Sequence, residues 1–321
     1  MKAWFLNSNK NLSQEDYTLE NNAFTKPIKI KINRLGLCAS DVSLFGSINT
    51  KFPCVLGRTA IGLISESVEN SAYKLGQKVL LSPYKKNNKI SGVNDFGFMC
   101  DYTIVEENQI YTLPDGITEK QAIFIEDIAY AIKTLTILDV DKTQYVLLVG
   151  ASAINCIVAQ LCLFYQAIPI VVDKNNDALK IASKCGVCYT INPNESNVSQ
   201  KVLEITAGKL VDHCAFDADL YSSIDELLEL VKPQGKVCLC GYSTDINKVI
   251  GDFSCIIKNQ LTIFGNNNGK DVISSAINML ANKVVNVSNL IQAEVNADKL
   301  QETLVDMYGR ANYFKTIVKM D

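Results

Sequence analysis

Apolar and polar residues alternate strictly over residues 28–32 (IKIKI), and short apolar runs recur at 61–65, 79–81 and 102–105 between stretches holding Gly, Pro and Asn. A period of two marks strands with one buried face, so the first 118 residues read as β-rich with irregular loops and no internal repeat. At Thr118 the period changes. Thr118 and Gln121 form a capping box ahead of an apolar helical stretch that reaches about Leu138, and a domain boundary is expected there. Strands and helices then alternate: strand 145–149 (YVLLV), helix 153–165, strand 169–172, helix 176–185, strand 214–216, helix 222–231, strand 236–240 and strand 261–264. Such alternation predicts a parallel sheet covered by helices on both faces. The tail carries two amphipathic stretches, 272–280 and 297–307, and ends in a strand at 315–318, which is expected to return to the first domain.

The apolar strand 145–149 runs straight into Gly150-Ala151-Ser152-Ala153-Ile154-Asn155 and a helix. That is the context in which a glycine turn and the amides of Ser152, Ala153 and Ile154 face a pyrophosphate. Two glycines of the usual three are replaced, by Ser152 and Asn155, so as a bare motif the turn is weak. Asp173 strengthens it by ending the next strand, where a carboxylate can accept hydrogen bonds from the adenosine ribose hydroxyls. This favours NAD over NADP, while Lys174 next to it leaves NADP open. The alternative is that Gly150 is only a turn and Asp173 only a helix cap.

Composition adds exclusions. With 31 basic and 34 acidic residues the net charge is -3, and the charges form no long block of one sign, so neither nucleic acid nor a membrane surface is an expected partner. The first residues, MKAWFLNSNKNLS, turn polar too soon for a signal-peptide core, and no apolar run is long enough to span a membrane; the expected location is cytoplasmic. Eleven cysteines are scattered through apolar segments and read as small core residues. Cys185 and Cys188 have the spacing of a redox or zinc half-site but fall where a helix should end at Gly186. The single histidine, His213, reads as a strand-end residue without chemistry.

Gly36-Leu37-Cys38-Ala39-Ser40-Asp41, Pro53-Cys54-Val55-Leu56-Gly57-Arg58-Thr59-Ala60-Ile61-Gly62 and Gly76-Gln77-Lys78-Val79, in this order, resemble the zinc alcohol, sorbitol and threonine dehydrogenases of the medium-chain dehydrogenase/reductase family. The likeness continues through Leu113-Pro114-Asp115-Gly116 and residues 230–241, ending at Gly241, which joins the candidate cofactor residues. It implies an α/β protein with a GroES-like β-rich catalytic domain (1–126 and 266–321), a Rossmann doubly wound parallel-sheet domain (127–265), and a homodimer or homotetramer. It also implies a zinc held by a cysteine, a histidine and a cysteine or glutamate. Those positions hold Cys38, Arg58 and Glu126.

Arginine has no lone pair to give a metal, and two ligands do not close a tetrahedral site, so zinc is not expected. The four-cysteine lobe of the family would fall near 82–93, where this chain has SPYKKNNKISGV. Ser40 fits the first member of the family's proton relay, but Ser43 stands where its histidine would be. The expected function is therefore a zinc-independent, NAD(P)-dependent oxidoreductase acting on a small alcohol or carbonyl compound. Arg58 would steady negative charge, paired with Glu126 by a charge-assisted hydrogen bond, Ser40 would donate a proton, and Cys38 would be a packing remnant. The rival is a non-catalytic dinucleotide-binding relative.

Overall fold

The computed structural model describes all residues except 19–25, 48–49, 67–70, 86–88, 218–224, 242–253, 311–313 and 321. The chain divides into two compact units, one of Met1–Glu126, Ile291–Arg310 and Phe314–Asp321, the other of Asp127–Leu290 and Ala311–Tyr313.

The first unit begins with a hairpin of β1 (Lys2–Leu6) and β2 (Leu12–Asp16). Its main sheet is built on β3 (Pro27–Leu37), whose IKIKI segment buries its isoleucines as the alternation predicts. After α1 (Ala39–Gly46) come β4 (Thr59–Glu66), β5 (Lys78–Leu81), β6 (Tyr102–Glu106) and β7 (Ile110–Thr112). The Thr118 box is present, with Thr118 accepting from the Gln121 amide, but it caps only the short α2 (Glu119–Ala122); α3 (Ile125–Leu138) starts separately and carries Glu126 in its first turn.

The second unit holds a six-stranded, wholly parallel sheet: β8 (Tyr145–Val149), β9 (Ile168–Val172), β10 (Tyr189–Ile191), β11 (Val211–Asp217), β12 (Val231–Cys240) and β13 (Thr262–Gly265). The helices are α4 (Ala153–Phe164), α5 (Asn176–Lys184), α6 (Val198–Ile205), α7 (Asp225–Leu228), α8 (Ser254–Asn259) and α9 (Ile273–Ala281). The expected helix 222–231 is shorter because β12 already starts at Val231; residues 222–224 lie outside the described ones. Strand order is β10-β9-β8-β11-β12-β13. The chain winds outward from β8, then returns to place β11 on its other side. The Gly150 turn therefore leaves the sheet where the winding reverses, the position at which open α/β sheets bind ligands.

β14 (Ile291–Asn296), α10 (Leu300–Tyr308) and β15 (Lys315–Lys319) complete the first unit. Its sheet runs β14-β15-β3-β4-β5-β7, with β6 and β15 sharing one side of β3: β6 meets residues 27–31 and β15 meets residues 34–37. The segment 266–290, assigned from sequence to the first domain, lies in the second unit. The reason is a long-range tie: Asn266 Nδ2 donates to the Tyr130 carbonyl at 3.2 Å and to Thr134 Oγ1 at 3.0 Å, binding this stretch to α3.

Candidate functional site

Cys38 is the extended residue before α1, and Asp41 sits in that helix's first turn. Asp41 is fully buried; its Oδ2 accepts from the Cys38 amide (3.0 Å) and the Cys38 thiol (3.2 Å), and its Oδ1 accepts from the Gly57 amide (3.0 Å). Burial pushes the Asp41 carboxyl above the ordinary range, and these donors, with the charge of Lys315, pull in the opposite direction. Ser40 Oγ lies 3.0 Å from Cys38 Sγ. Asp41 thus fixes the start of α1 to the turn at Gly57, which has φ +93° and leaves an added Cβ only 2.7 Å from a Leu35 methyl and 2.9 Å from the Met99 nitrogen. Glycine is needed there on both counts.

That turn delivers Arg58, only 4% exposed, onto Glu126, which is 7% exposed. Arg58 Nε donates to Glu126 Oε1 at 2.6 Å, and Nη2 forms an ion pair with the same oxygen. The second carboxylate oxygen accepts from Thr59 Oγ1 at 3.0 Å, so the guanidinium grips one oxygen rather than spanning both. Tyr84 closes the cluster: its hydroxyl donates to Glu126 Oε1 at 2.8 Å and accepts from Arg58 Nη2 at 3.1 Å. Burial would raise the Glu126 pKa, yet Arg58, then Lys315, and the hydrogen bonds hold it below the usual carboxylate range. Tyr84 is shifted upward, first by burial and then by the Glu126 charge.

Neither Tyr84 nor Lys315 stood out in the sequence. Tyr84 lies in the segment that replaces the cysteine lobe; Lys315 opens the strand KTIV, where a lysine reads as solvent-facing. Lys315 is instead 2% exposed, donating to the Ile123 carbonyl at 3.2 Å and lying 5.3 Å from the Phe124 ring centre. Zinc does not fit this arrangement. A guanidinium covers the carboxylate, the Cys38 thiol is turned to Ser40 and Asp41, and among the described residues no three His, Cys, Asp or Glu side chains are grouped to hold a metal. His213 is in β11, its Nε2 3.1 Å from Gln144 Oε1 and its pKa lowered chiefly by burial.

In the second unit, Gly150 has φ +95° and opens the turn. Ser152 caps α4 by accepting from the Asn155 amide at 3.3 Å, so part of the helix N-terminus is satisfied from within. Ala153 is buried and Ile154 half-buried behind it. Asn155, in place of a glycine, folds back to donate to the carbonyls of Val149 (3.1 Å) and Gly150 (2.8 Å), while its Oδ1 has no partner among the described residues. Asp173 is 3% exposed, with Oδ2 accepting from the Ala151 amide at 2.6 Å and Oδ1 from the Asn175 amide at 2.7 Å. It does not cap α5, a role taken by Asn175. Lys174 is exposed beside it. Gly241 donates its amide to the Tyr130 hydroxyl at 3.2 Å; the twelve residues after it, 242–253, are outside the described ones.

Two family descriptions match this chain: alcohol dehydrogenase GroES-like domain over residues 25–115 and zinc-binding dehydrogenase over residues 153–282. The chain belongs to the medium-chain dehydrogenase/reductase family. An uncharacterized zinc-type alcohol dehydrogenase-like protein of Haemophilus influenzae is 23% identical over 90% of each chain. L-threonine 3-dehydrogenase of Pyrococcus horikoshii is 30% identical over 56% of this chain and 51% of its own. A short chain alcohol dehydrogenase of Escherichia coli CFT073, solved with NADH, shares the fold over 100% of this chain and 99% of its own, with a TM-score of 0.87 at 20% identity. A Sinorhizobium meliloti zinc-binding dehydrogenase bound to NADP covers 99% of both chains, also with a TM-score of 0.87, at 18% identity.

Proposed function

We propose that this protein is a zinc-independent, NAD(P)-dependent oxidoreductase that moves a hydride between nicotinamide and a small alcohol or carbonyl compound. The observation that supports this reading is the Arg58–Glu126–Tyr84 cluster: a fixed cation and a tyrosine hydroxyl meet the Glu126 carboxylate at residues that the family resemblance would assign to a metal. The relatives named above supply the class, as dehydrogenases. Bound nicotinamide would supply the hydride acceptor or donor. The chain's own contribution is preorganised polarity. Arg58, neutralised in part by Glu126, acts as an oriented donor rather than a free charge, and Ser40 provides an exchangeable hydroxyl proton beside Cys38.

The Gly150 turn and the α4 N-terminus suit a pyrophosphate, and Asp173 suits a ribose, since a carboxylate oxygen can accept from more than one donor. NAD is the preferred cofactor because the 2′-phosphate of NADP would meet that carboxylate. The proposal includes a cytoplasmic homodimer or homotetramer with a small-molecule substrate. Among the described residues no helix is long and apolar enough to cross a membrane.

One set of contacts favours the rival, a dinucleotide-binding protein without catalysis: Asp173 already serves the Ala151 and Asn175 amides, and Asn155 fills space that a glycine leaves open. Two measurements separate the alternatives. A thermal-shift screen with NAD, NADH, NADP and NADPH reports binding, and the nicotinamide absorbance with a panel of polyols, aldehydes and ketones reports hydride transfer. Binding without turnover on any substrate class selects the rival, and no shift with any of the four dinucleotides removes both.

A further inference from the structure

We propose that Tyr130 is a positioning residue for the nicotinamide end of the cofactor: its hydroxyl is inserted between the ends of β12 and β13 and holds them apart on the edge of the sheet where that end would lie. The role rests on the dinucleotide assignment made above. Tyr130 lies in the second turn of α3 and is only 4% exposed.

β12 and β13 are paired in parallel as far as Leu239 with Gly265, and one further bond follows, from the Asn266 amide to the Leu239 carbonyl at 3.0 Å. Bonds in a parallel ladder are evenly spaced and run alternately to and fro, so the next would go from the Gly241 amide to the Asn266 carbonyl. The Tyr130 hydroxyl occupies that rung. It accepts from the Gly241 amide at 3.2 Å and donates to the Asn266 carbonyl, so a single oxygen atom separates two strands that would otherwise close. Burial pushes the phenol pKa upward, and the hydroxyl therefore keeps the proton it donates at any ordinary pH. Asn266 holds the tyrosine in return. Its Nδ2 donates to the Tyr130 carbonyl and to Thr134 Oγ1, and Thr134 Oγ1 donates to the same carbonyl at 3.1 Å. A phenylalanine would fill the same space but would leave the rung free to close.

The place of this rung in the sheet gives it a function. All six strands run the same way, so their C-terminal ends share one edge, and the Gly150 turn leaves from that edge at β8. Asp173 follows β9 on one side of β8, whereas Gly241 and Asn266 follow β12 and β13 on the other. A dinucleotide with its pyrophosphate at the turn and its adenosine ribose toward Asp173 extends its other nucleoside across the ends of β11 and β12, the latter two strand spacings, about 10 Å, from β8. The nicotinamide carboxamide carries both donors and an acceptor, and it is oriented only by partners that stand at fixed places. Strand ends braced apart by Tyr130 supply such a surface. The Gly241 amide, a candidate cofactor contact in the sequence, is given to Tyr130, so Gly241 serves the nicotinamide end through the shape of the backbone.

The test is calorimetry of the full chain and of Tyr130→Phe with NAD and with ADP-ribose, which lacks only the nicotinamide ring. Tyr130→Phe is expected to weaken NAD about tenfold, the equivalent of one aligned hydrogen bond, and to leave ADP-ribose within about twofold. A parallel loss for both ligands, or a loss for neither, overturns the proposal, because a tyrosine that only braces the fold does not distinguish them. If Tyr130→Phe does not fold, hydrogen exchange in the unsubstituted protein decides. NAD is then expected to protect the peptides containing Gly241 and Asn266 more than ADP-ribose does, and equal protection by the two overturns the proposal. The two assignments fail differently: binding of both ligands without a selective loss sinks the role of Tyr130 alone, whereas an unsubstituted protein that binds neither removes the dinucleotide assignment and that role with it.

Discussion

Replacing Arg58 by alanine removes the cation that Glu126 faces at 2.6 Å and leaves a carboxylate that is 7% exposed. Breaking one side of a buried ion pair costs on the order of 3–5 kcal/mol when the other charge has no escape. Glu126 has an escape, because it can bind a proton. Protonating a carboxyl of ordinary pKa, about 4.3, at neutral pH costs about 3.7 kcal/mol, which sets the scale of the electrostatic part of the loss. Thr59, Tyr84 and the nearby Lys315 charge remain to support the anion and bring the expected loss to about 3 kcal/mol.

The pH dependence fixes the sign. In the unsubstituted protein the folded Glu126 pKa is depressed, so its stabilising contribution is present above the unfolded value and is lost only as pH falls through the lower, folded one. In Arg58→Ala the folded pKa rises above the unfolded one, and the stability deficit grows as pH climbs from about 4 to 7. Urea unfolding at several pH values measures this. Adding Glu126→Gln should recover most of the deficit and flatten its pH dependence. A loss under about 1 kcal/mol at neutral pH, or a loss that does not change with pH, would refute the buried-pair reasoning.

Elemental analysis after dialysis against a weak chelator should find no stoichiometric zinc, whereas Arg58→His should gain partial zinc affinity; about one zinc per chain in the unsubstituted protein would show that the ligand set differs from Cys38 and Glu126. Calorimetry should give tighter binding of NAD than of NADP, and Asp173→Asn should narrow the difference while lowering the melting temperature, because Ala151 loses a charged acceptor. Preference for NADP would mean that Lys174 overrides the carboxylate. Gly57→Ala should cost about 3 kcal/mol in urea unfolding, from strain at positive φ and the close approach of Leu35 and Met99; a cost below about 0.5 kcal/mol would contradict the turn geometry.

Much of the second unit was legible because its signals are local. YVLLV followed at once by Gly150, and the helical run that begins at Asn176, each declare their element within a few residues. The pairing of Arg58 with Glu126 could also be reasoned out, since a buried carboxylate deprived of its metal needs another cation. Its geometry could not: that one oxygen takes the guanidinium and the other takes Thr59 depends on how β4 enters the sheet. Tyr84 and Lys315 stayed hidden because a tyrosine in a polar loop and a lysine at a strand start carry no sign of burial. Asp173 was expected by position to be a ribose acceptor, but the amides its oxygens meet are set by the Gly150 turn folding over the end of β9. The domain limit was misplaced for a similar reason, as the tie from Asn266 to Tyr130 and Thr134 spans more than a hundred residues.

The placement of β15 bears on the order in which the chain is able to fold. β15 pairs with the second half of β3 and carries Lys315, yet the whole second unit lies between those strands in sequence. During synthesis the second unit can close by itself, while residues 34–37 of β3 keep one edge open, Asp41 lacks its neighbouring Lys315 charge and Glu126 lacks one of its two neighbouring cations until β15 emerges. An open strand edge is a template for another chain. The first half of this protein is therefore most exposed to aggregation during the interval in which the second half is being made, and a pause in translation between residues 291 and 315 should prolong that exposure.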